Sequence, residues 1–249
     1  MAQCLADLAP EYPDLSIVAQ VSRSRPDSGR FACRYFDSLE AASSELEGEI
    51  DLLVDFSLPD GTLAAARWCA EGGIALLSGV TGLPDQIHSA LDETSRFAPV
   101  LWASNLSPGI NLLASLLDEV AGRIDGETKV TISEVHHAGK KDAPSGTALE
   151  LARHIRPLPG GADHRRRPEN FTDIVFESRR EGEVAGDHSV LVEMPDESFT
   201  FSHHAENRRL FARGAIEAGL WLARQAPGRY SAADWIRNSA RPAPSGGES

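Results

Sequence analysis

The sequence predicts an α/β protein: a doubly wound, Rossmann-like parallel sheet followed by a second α+β domain. Three observations lead there. In the first half, short apolar runs alternate with helix-length stretches. Strands that are apolar throughout are covered on both faces, as parallel strands joined by helical crossovers are. In the second half, strand-like runs follow one another in quick succession, the mark of an α+β unit. An amphipathic helix at 212–225 then follows and is expected to return the chain to the first domain. The predicted division is 1–105 with 221–249 for the first domain and 106–220 for the second.

The elements follow in order. Residues 15–21 (LSIVAQV) are a β-branched, apolar strand, and 38–47 (SLEAASSELE) a helix with Ser38 as its N-cap. Then come a strand at 50–56 (IDLLVDF), a helix at 62–72, a strand at 74–79 (IALLSG), a helix from Leu83 to Arg96 and a strand at 98–103 (APVLWA). Residues 111–124 (NLLASLLDEVAGRI) form an amphipathic helix, and 129–135 (KVTISEV) alternate as a strand with one solvated face. A helix at 146–155 leads into a loop with Arg165, Arg166 and Arg167, and strands at 172–178, 188–194 and 198–204 precede the last helix.

Composition narrows the function. The chain has 249 residues and a net charge of -13. That charge argues against a nucleic-acid partner, which needs a basic face. It leaves a small anionic ligand open, because a few local cations outweigh a screened net charge. No apolar run is long enough to span a bilayer, and the N-terminus lacks a basic region followed by an apolar stretch, so no membrane partner is expected. Cys4, Cys33 and Cys69 stand far apart, as reduced thiols of a cytoplasmic protein do. The last residues, RPAPSGGES, read as a frayed tail.

The chemistry concentrates in 134–149, EVHHAGKKDAPSGTAL. A strand is expected to end near Val135 and a helix to begin at Gly146, with Ser145 as N-cap, which leaves His136 to Ala143 as a loop. A helix N-terminus offers unpaired N–H groups and partial positive charge to an anion. Ser145 and Thr147 add hydroxyls, Gly146 admits a ligand close to the backbone, and Lys140 or Lys141 adds a full charge. The histidines add donors switched by a proton. The set fits a small carboxylate that also receives a proton. A chance pair of histidines beside an ordinary helix cap is the competing reading. No metal is expected: His136 and His137 could in principle combine with His203 and His204, but no further ligand stands at a recognisable spacing.

The segment resembles the signature E-x-H-H-x-x-K-x-D-x-P-S-G-T-A of the dihydrodipicolinate reductase family. VDFSLPDGT (54–62), SGVTG (78–82), ASNLSPGINLL (103–113), GEVAGDHSVL (182–191) and HHAENRRLFARGAIEAGLWL (203–222) resemble that family's other motifs, in its order. The resemblance implies an NADPH- or NADH-dependent reductase of diaminopimelate and lysine synthesis. Such an enzyme delivers a hydride to a cyclic imine with two carboxylates. It implies His136 as proton donor with Lys140 as cationic partner, and His137, Ser145, Gly146, Thr147 and Thr81 around the carboxylates. Phe56, Gly79, Thr81, Ala103, Asn105 and Leu106 would lie by the cofactor, with Ser22 and Arg23 at its ribose. A homotetramer built through the second domain's sheet is also implied.

The sequence departs from the family in two places. The family opens with a strand and then G-x-x-G-R-M-G, whereas residues 1–23 align from the Met of that loop onward, with Ala2 in place of its last glycine. Loss of a central strand would leave backbone groups unpaired at about 1–3 kcal/mol each. The expectation is therefore a polypeptide that starts upstream of Met1. The alternative is a non-catalytic member that binds a dicarboxylate without a dinucleotide. A related dehydrogenase of another amino or imino acid would share the fold but not the 134–149 segment. After the strand at 15–21, Ser22 replaces the usual acid, and Arg23 and Arg25 lean the expectation towards a 2′-phosphate and NADPH.

Overall fold

The structure, a computed structural model, describes residues 1–23, 33–125, 128–156, 171 and 173–239. In chain order the elements are α1 (Ala2–Leu8), β1 (Ala19–Val21), β2 (Arg34–Phe36), α2 (Leu39–Glu45), β3 (Leu52–Asp55), α3 (Pro59–Gly72), β4 (Ala75–Ser78), α4 (Asp85–Thr94), β5 (Pro99–Trp102), α5 (Pro108–Ala121), β6 (Lys129–His136), α6 (Gly146–Ile155), β7 (Ile174–Arg180), β8 (Asp187–Glu193), β9 (Ser198–His204), α7 (Arg209–Leu222), β10 (Gly228–Tyr230) and α8 (Ala232–Asn238). They fall into two compact units, Met1–Leu106 with Phe211–Ser249, and Ser107–Leu210.

In the first unit, β10, β5, β4 and β3 form a wholly parallel sheet in that order, and β1 pairs in parallel with β2. Among the described residues no strand joins β1 to β3. Apolar layers lie on both faces of the four-stranded sheet. Leu76 and Val100 meet Ala66, Cys69, Ile87 and Leu91 of α3 and α4 on one side. Leu77 and Leu101 meet Ala215, Ala218 and Leu222 of α7 and Trp235 of α8 on the other. This double burial is why these strands read as unbroken apolar runs. α3 begins at Pro59, earlier than expected, because Pro suits the first helical turn and Asp60 complements its positive end.

In the second unit the order is β7-β6-β8-β9, with β6–β7 parallel and the other pairs antiparallel. Val130, Ile132, Val190 and Val192 point inward against Leu113 and Leu117 of α5 and Leu151 and Ile155 of α6. The strand β6 alternates strictly between partly open and buried positions, so Val130, Ile132, Glu134 and His136 share the inward face. The expected loop from His136 is corrected here. β6 runs through His136, because β7 pairs with it as far as His136 against Arg180. The arginines at 165–167, Arg25 and the terminal tail lie outside the described residues.

Candidate active site

An ionisable cluster closes the inward face of β6. Glu134 is 2% exposed and His136 7%, and beside them on β8 lies buried His188. A buried carboxylate needs donors around it, and Glu134 has them. The Ser145 backbone N–H donates to its two oxygens at 3.1 and 3.2 Å, and Ser178 Oγ to Oε1 at 2.8 Å. Arg180 Nη2 lies 3.4 Å from Oε1. The Oε2 atom faces two imidazoles, 3.6 Å from His136 Nδ1 and 3.8 Å from His188 Nε2. The rings of His136 and His188 meet edge to face with centroids 5.0 Å apart.

The loop that follows is pinned from β7. Arg180 Nε donates to the Lys140 carbonyl at 3.2 Å, and its Nη2 donates to the Asp142 carbonyl. Lys140 Nζ pairs with Asp142 at 2.9 Å, so its direct partner is Asp142, while its charge still acts on His136. α6 then starts where Ser145 was expected to cap it, with Ser145 Oγ accepting from the Ala148 N–H at 3.2 Å. Gly146 faces open space, Thr147 is partly buried, and His137 and Lys141 are exposed. The Ser145 N–H is engaged inside the protein by Glu134, which takes one helix-terminal donor from the set expected for an anion.

The electrostatics follow from this packing. Burial disfavours charge on His136 and lowers its proton affinity below the ordinary imidazole value; Glu134 opposes that shift, while Lys140 and Arg180 add to it. Burial alone would raise the Glu134 carboxyl, but hydrogen bonds from Ser145 and Ser178, with His136 nearby, hold it below the usual carboxylate range. His188, the deepest of the three, is pushed down to about 4 by burial and by His136, against the pull of Glu134.

Glu134, His136 and His188 each bring a ligand atom within 4.8 Å of the others, a spacing that would admit a cation. Two resident cations work against one. Arg180 already answers the charge of the Glu134 carboxylate, and Lys140 acts on His136. The cluster is a network of shared protons and hydrogen bonds.

Of the substrate residues read from the sequence, the second unit brings together His136, His137, Lys140, Ser145, Gly146 and Thr147, on β6, the following loop and α6. Thr81 belongs to the first unit, where it is exposed after β4. The residues expected at the cofactor also lie in that unit, at the carboxyl ends of parallel strands. Phe56 follows β3, Gly79 and Thr81 follow β4, and Ala103, Asn105 and Leu106 follow β5. Ser22 follows β1, where its N–H donates to the Phe36 carbonyl at 3.1 Å and its carbonyl accepts from Tyr35 Oη at 2.6 Å. Arg23 is exposed. Buried Asp55 fixes the turn after β3 through Ser57, Thr62 and Ser78.

Sequence reasoning assigned no role to Glu134, Ser178, Arg180, Gly186 or His188. A signal existed for Glu134, a carboxylate on the apolar register of β6 two residues before His136. For Gly186 and His188 it was the G-x-x-x-G-x-H motif. Arg180 reaches the site only across the β6–β7 pairing and leaves no local trace.

The family described as "Dihydrodipicolinate reductase, N-terminus" matches residues 1–106, and "Dihydrodipicolinate reductase, C-terminus" matches 109–236. A 4-hydroxy-tetrahydrodipicolinate reductase of Alkalilimnicola ehrlichii is 34% identical over 254 residues, covering 94% of each chain. One from Haloarcula marismortui is 36% identical over 203 residues, covering 79% of this chain and 80% of the relative. A solved dipicolinate-bound dihydrodipicolinate reductase from Paenisporosarcina shares the fold, with TM-score 0.73 and 19% identity over 92% of each chain.

Proposed function

The chain belongs to the dihydrodipicolinate reductase family, and from that premise we propose which of its residues carry the reaction. The activity is that of a 4-hydroxy-tetrahydrodipicolinate reductase: NAD(P)H-dependent reduction of a cyclic imine bearing two carboxylates, a step of diaminopimelate and lysine synthesis. His136 is the proton donor. The observation that supports this is the buried pairing of His136 with Glu134 at the end of β6, beside the N-terminus of α6. An imidazole whose proton affinity is lowered by burial gives its proton up readily, and the adjacent carboxylate offsets the cost of charging it.

The substrate carboxylates are held by the N-terminus of α6. Gly146 leaves it open, and Ser145, Thr147 and His137 supply donors. Lys140 supplies the charge that a dianion wants. The dinucleotide would be held at the carboxyl ends of β3, β4 and β5 by Phe56, Gly79, Thr81, Ala103, Asn105 and Leu106. Parallel strands ending side by side are where such ligands bind. When bound, its nicotinamide supplies the hydride. Ser22 and Arg23, after β1, would face its ribose.

The test is His136→Gln, assayed by NADPH oxidation with the cyclic imine generated in the cuvette. Turnover falls by at least about 10²-fold while thermal melting is unchanged. A variant with wild-type turnover would remove His136 from the chemistry.

The enzyme works as a homotetramer joined through the outward face of the second unit's sheet. Val175 is 58% exposed there, and the alternation of β8 leaves Ser189 and Leu191 partly open on that side. Light scattering then gives about four times the 26.8 kDa chain mass; a monomer mass overturns this. Its substrate is small, and neither nucleic acid nor membrane is a partner. The free cysteines Cys4, Cys33 and Cys69 suit the reducing cytoplasm.

A further inference from the structure

We propose that the two ring nitrogens of His136 have separate duties: Glu134 is a positioning residue that holds Nδ1, and Nε2 is the atom that passes the proton, through an opening kept by Gly186. The proposal rests on the reading of His136 as the acid and assigns its atoms.

Three observations carry it. Glu134 cannot turn away, because Ser178 Oγ and Arg180 hold Oε1 and the Ser145 N–H bridges both oxygens. Its Oε2 is thereby aimed at His136 Nδ1, which is buried and has no hydrogen-bond partner of its own. The far side of the ring is bounded by glycine. A Cβ at Gly186 would stand 3.2 Å from Nε2 and 3.4 Å from Cδ2, so its absence leaves a methyl-sized opening against Nε2. Gly186 also has φ +152°, a conformation that side chains rarely adopt.

The chemistry balances. With imidazolium at His136, Nδ1–H points at Glu134 and the Nε2–H bond breaks. Its electron pair stays on Nε2, and the proton goes to the substrate ring atom that holds the electron pair released by hydride addition. His136 is left neutral with Nδ1–H, the tautomer a carboxylate stabilises.

Glu134→Gln tests this sharply. Arg180 and Ser178 face Oε1 alone and oblige the amide oxygen to stay there, so the amide NH2 takes the place of Oε2 and donates to Nδ1. Neutral His136 must then carry its proton on Nε2. Magic-angle-spinning NMR of ¹⁵N-histidine protein reads the tautomer, and His136→Gln identifies the signal by its loss. Wild-type protein is expected to show Nδ1–H. Glu134→Gln is expected to show Nε2–H, with kcat down at least about 10²-fold and KM little changed. Gly186→Ala, where it folds, is expected to lower kcat with the tautomer unchanged. A wild-type tautomer or wild-type kcat in Glu134→Gln overturns the proposal. Should His136→Gln be inactive and Glu134→Gln fully active, only the proposal falls. A fully active His136→Gln takes the underlying reading with it.

Discussion

Gly79 shows how much one missing side chain can fix. Its N–H donates to the Asp55 carbonyl at 2.9 Å, tying the turn after β4 to the end of β3. A Cβ there would stand 2.5 Å from Phe56 Cε1 and 3.2 Å from Leu106 Cδ1. Gly79→Ala must displace the Phe56 ring, and forced overpacking typically costs about 1–3 kcal/mol. Because Phe56 and Leu106 are assigned to the dinucleotide, NADPH binding weakens by roughly tenfold in a fluorescence titration, which corresponds to about 1.4 kcal/mol. An unchanged affinity counts against that assignment. The same scale shows what could be read beforehand. His136, Lys140 and Ser145 stood out as chemical types in one short segment. Glu134 did not, because a strand with a carboxylate on its apolar side looks like a flaw until its donors are found, and Arg180 lies 46 positions away.

At the scale of elements, legibility followed local signals. α6 falls at 146–155 as read, because Ser145 caps it and Leu151, Ala152 and Ile155 set the helical period against the sheet. β9 falls at 198–204 for a similar reason, its alternation being uninterrupted. α5 starts at Pro108, before the expected 111, because Ser107 caps it and Pro occupies its first turn. The short strands β2 and β10 were not foreseen, since three residues are too few to show a period. α8 was missed despite a capping box, in which Ser231 and Asp234 satisfy each other's backbone N–H groups. The parallel pairing of β6 with β7 inside an otherwise antiparallel sheet also had no sequence signal, because register between distant strands is set by tertiary packing.

At the scale of the whole molecule, the buried cluster links stability to pH. His188 titrates near 4 when folded, against about 6.5 for a free imidazole. Between those values the unfolded chain binds more protons than the folded one, so stability is fully present above pH ~6.5 and declines as pH falls towards 4. The lowered carboxyl of Glu134 acts in the same direction at the acid end, since its contribution is lost as it becomes protonated. The His188 difference alone weakens the fold by on the order of 3 kcal/mol across this window. Urea unfolding at pH 7.5 and pH 4.5 measures the loss, and His188→Gln reduces it. Equal midpoints at both pH values in the wild type contradict the account.

The β6–β7 pairing carries one more consequence. The groups that grip Glu134 from β7 come from 44 and 46 positions along the chain, across the crossover that contains α6. A peptide of the 134–149 segment has the right side chains and none of the restraint, so it is chemically idle. Contacts between such distant residues form late, after the entropy of closing the intervening loop has been met. In a chain still emerging from the ribosome, His136 therefore lies beside a carboxylate that β7 has not yet restrained. The restraint on Glu134, and with it the proton-donor role proposed for His136, comes only with the completed second unit.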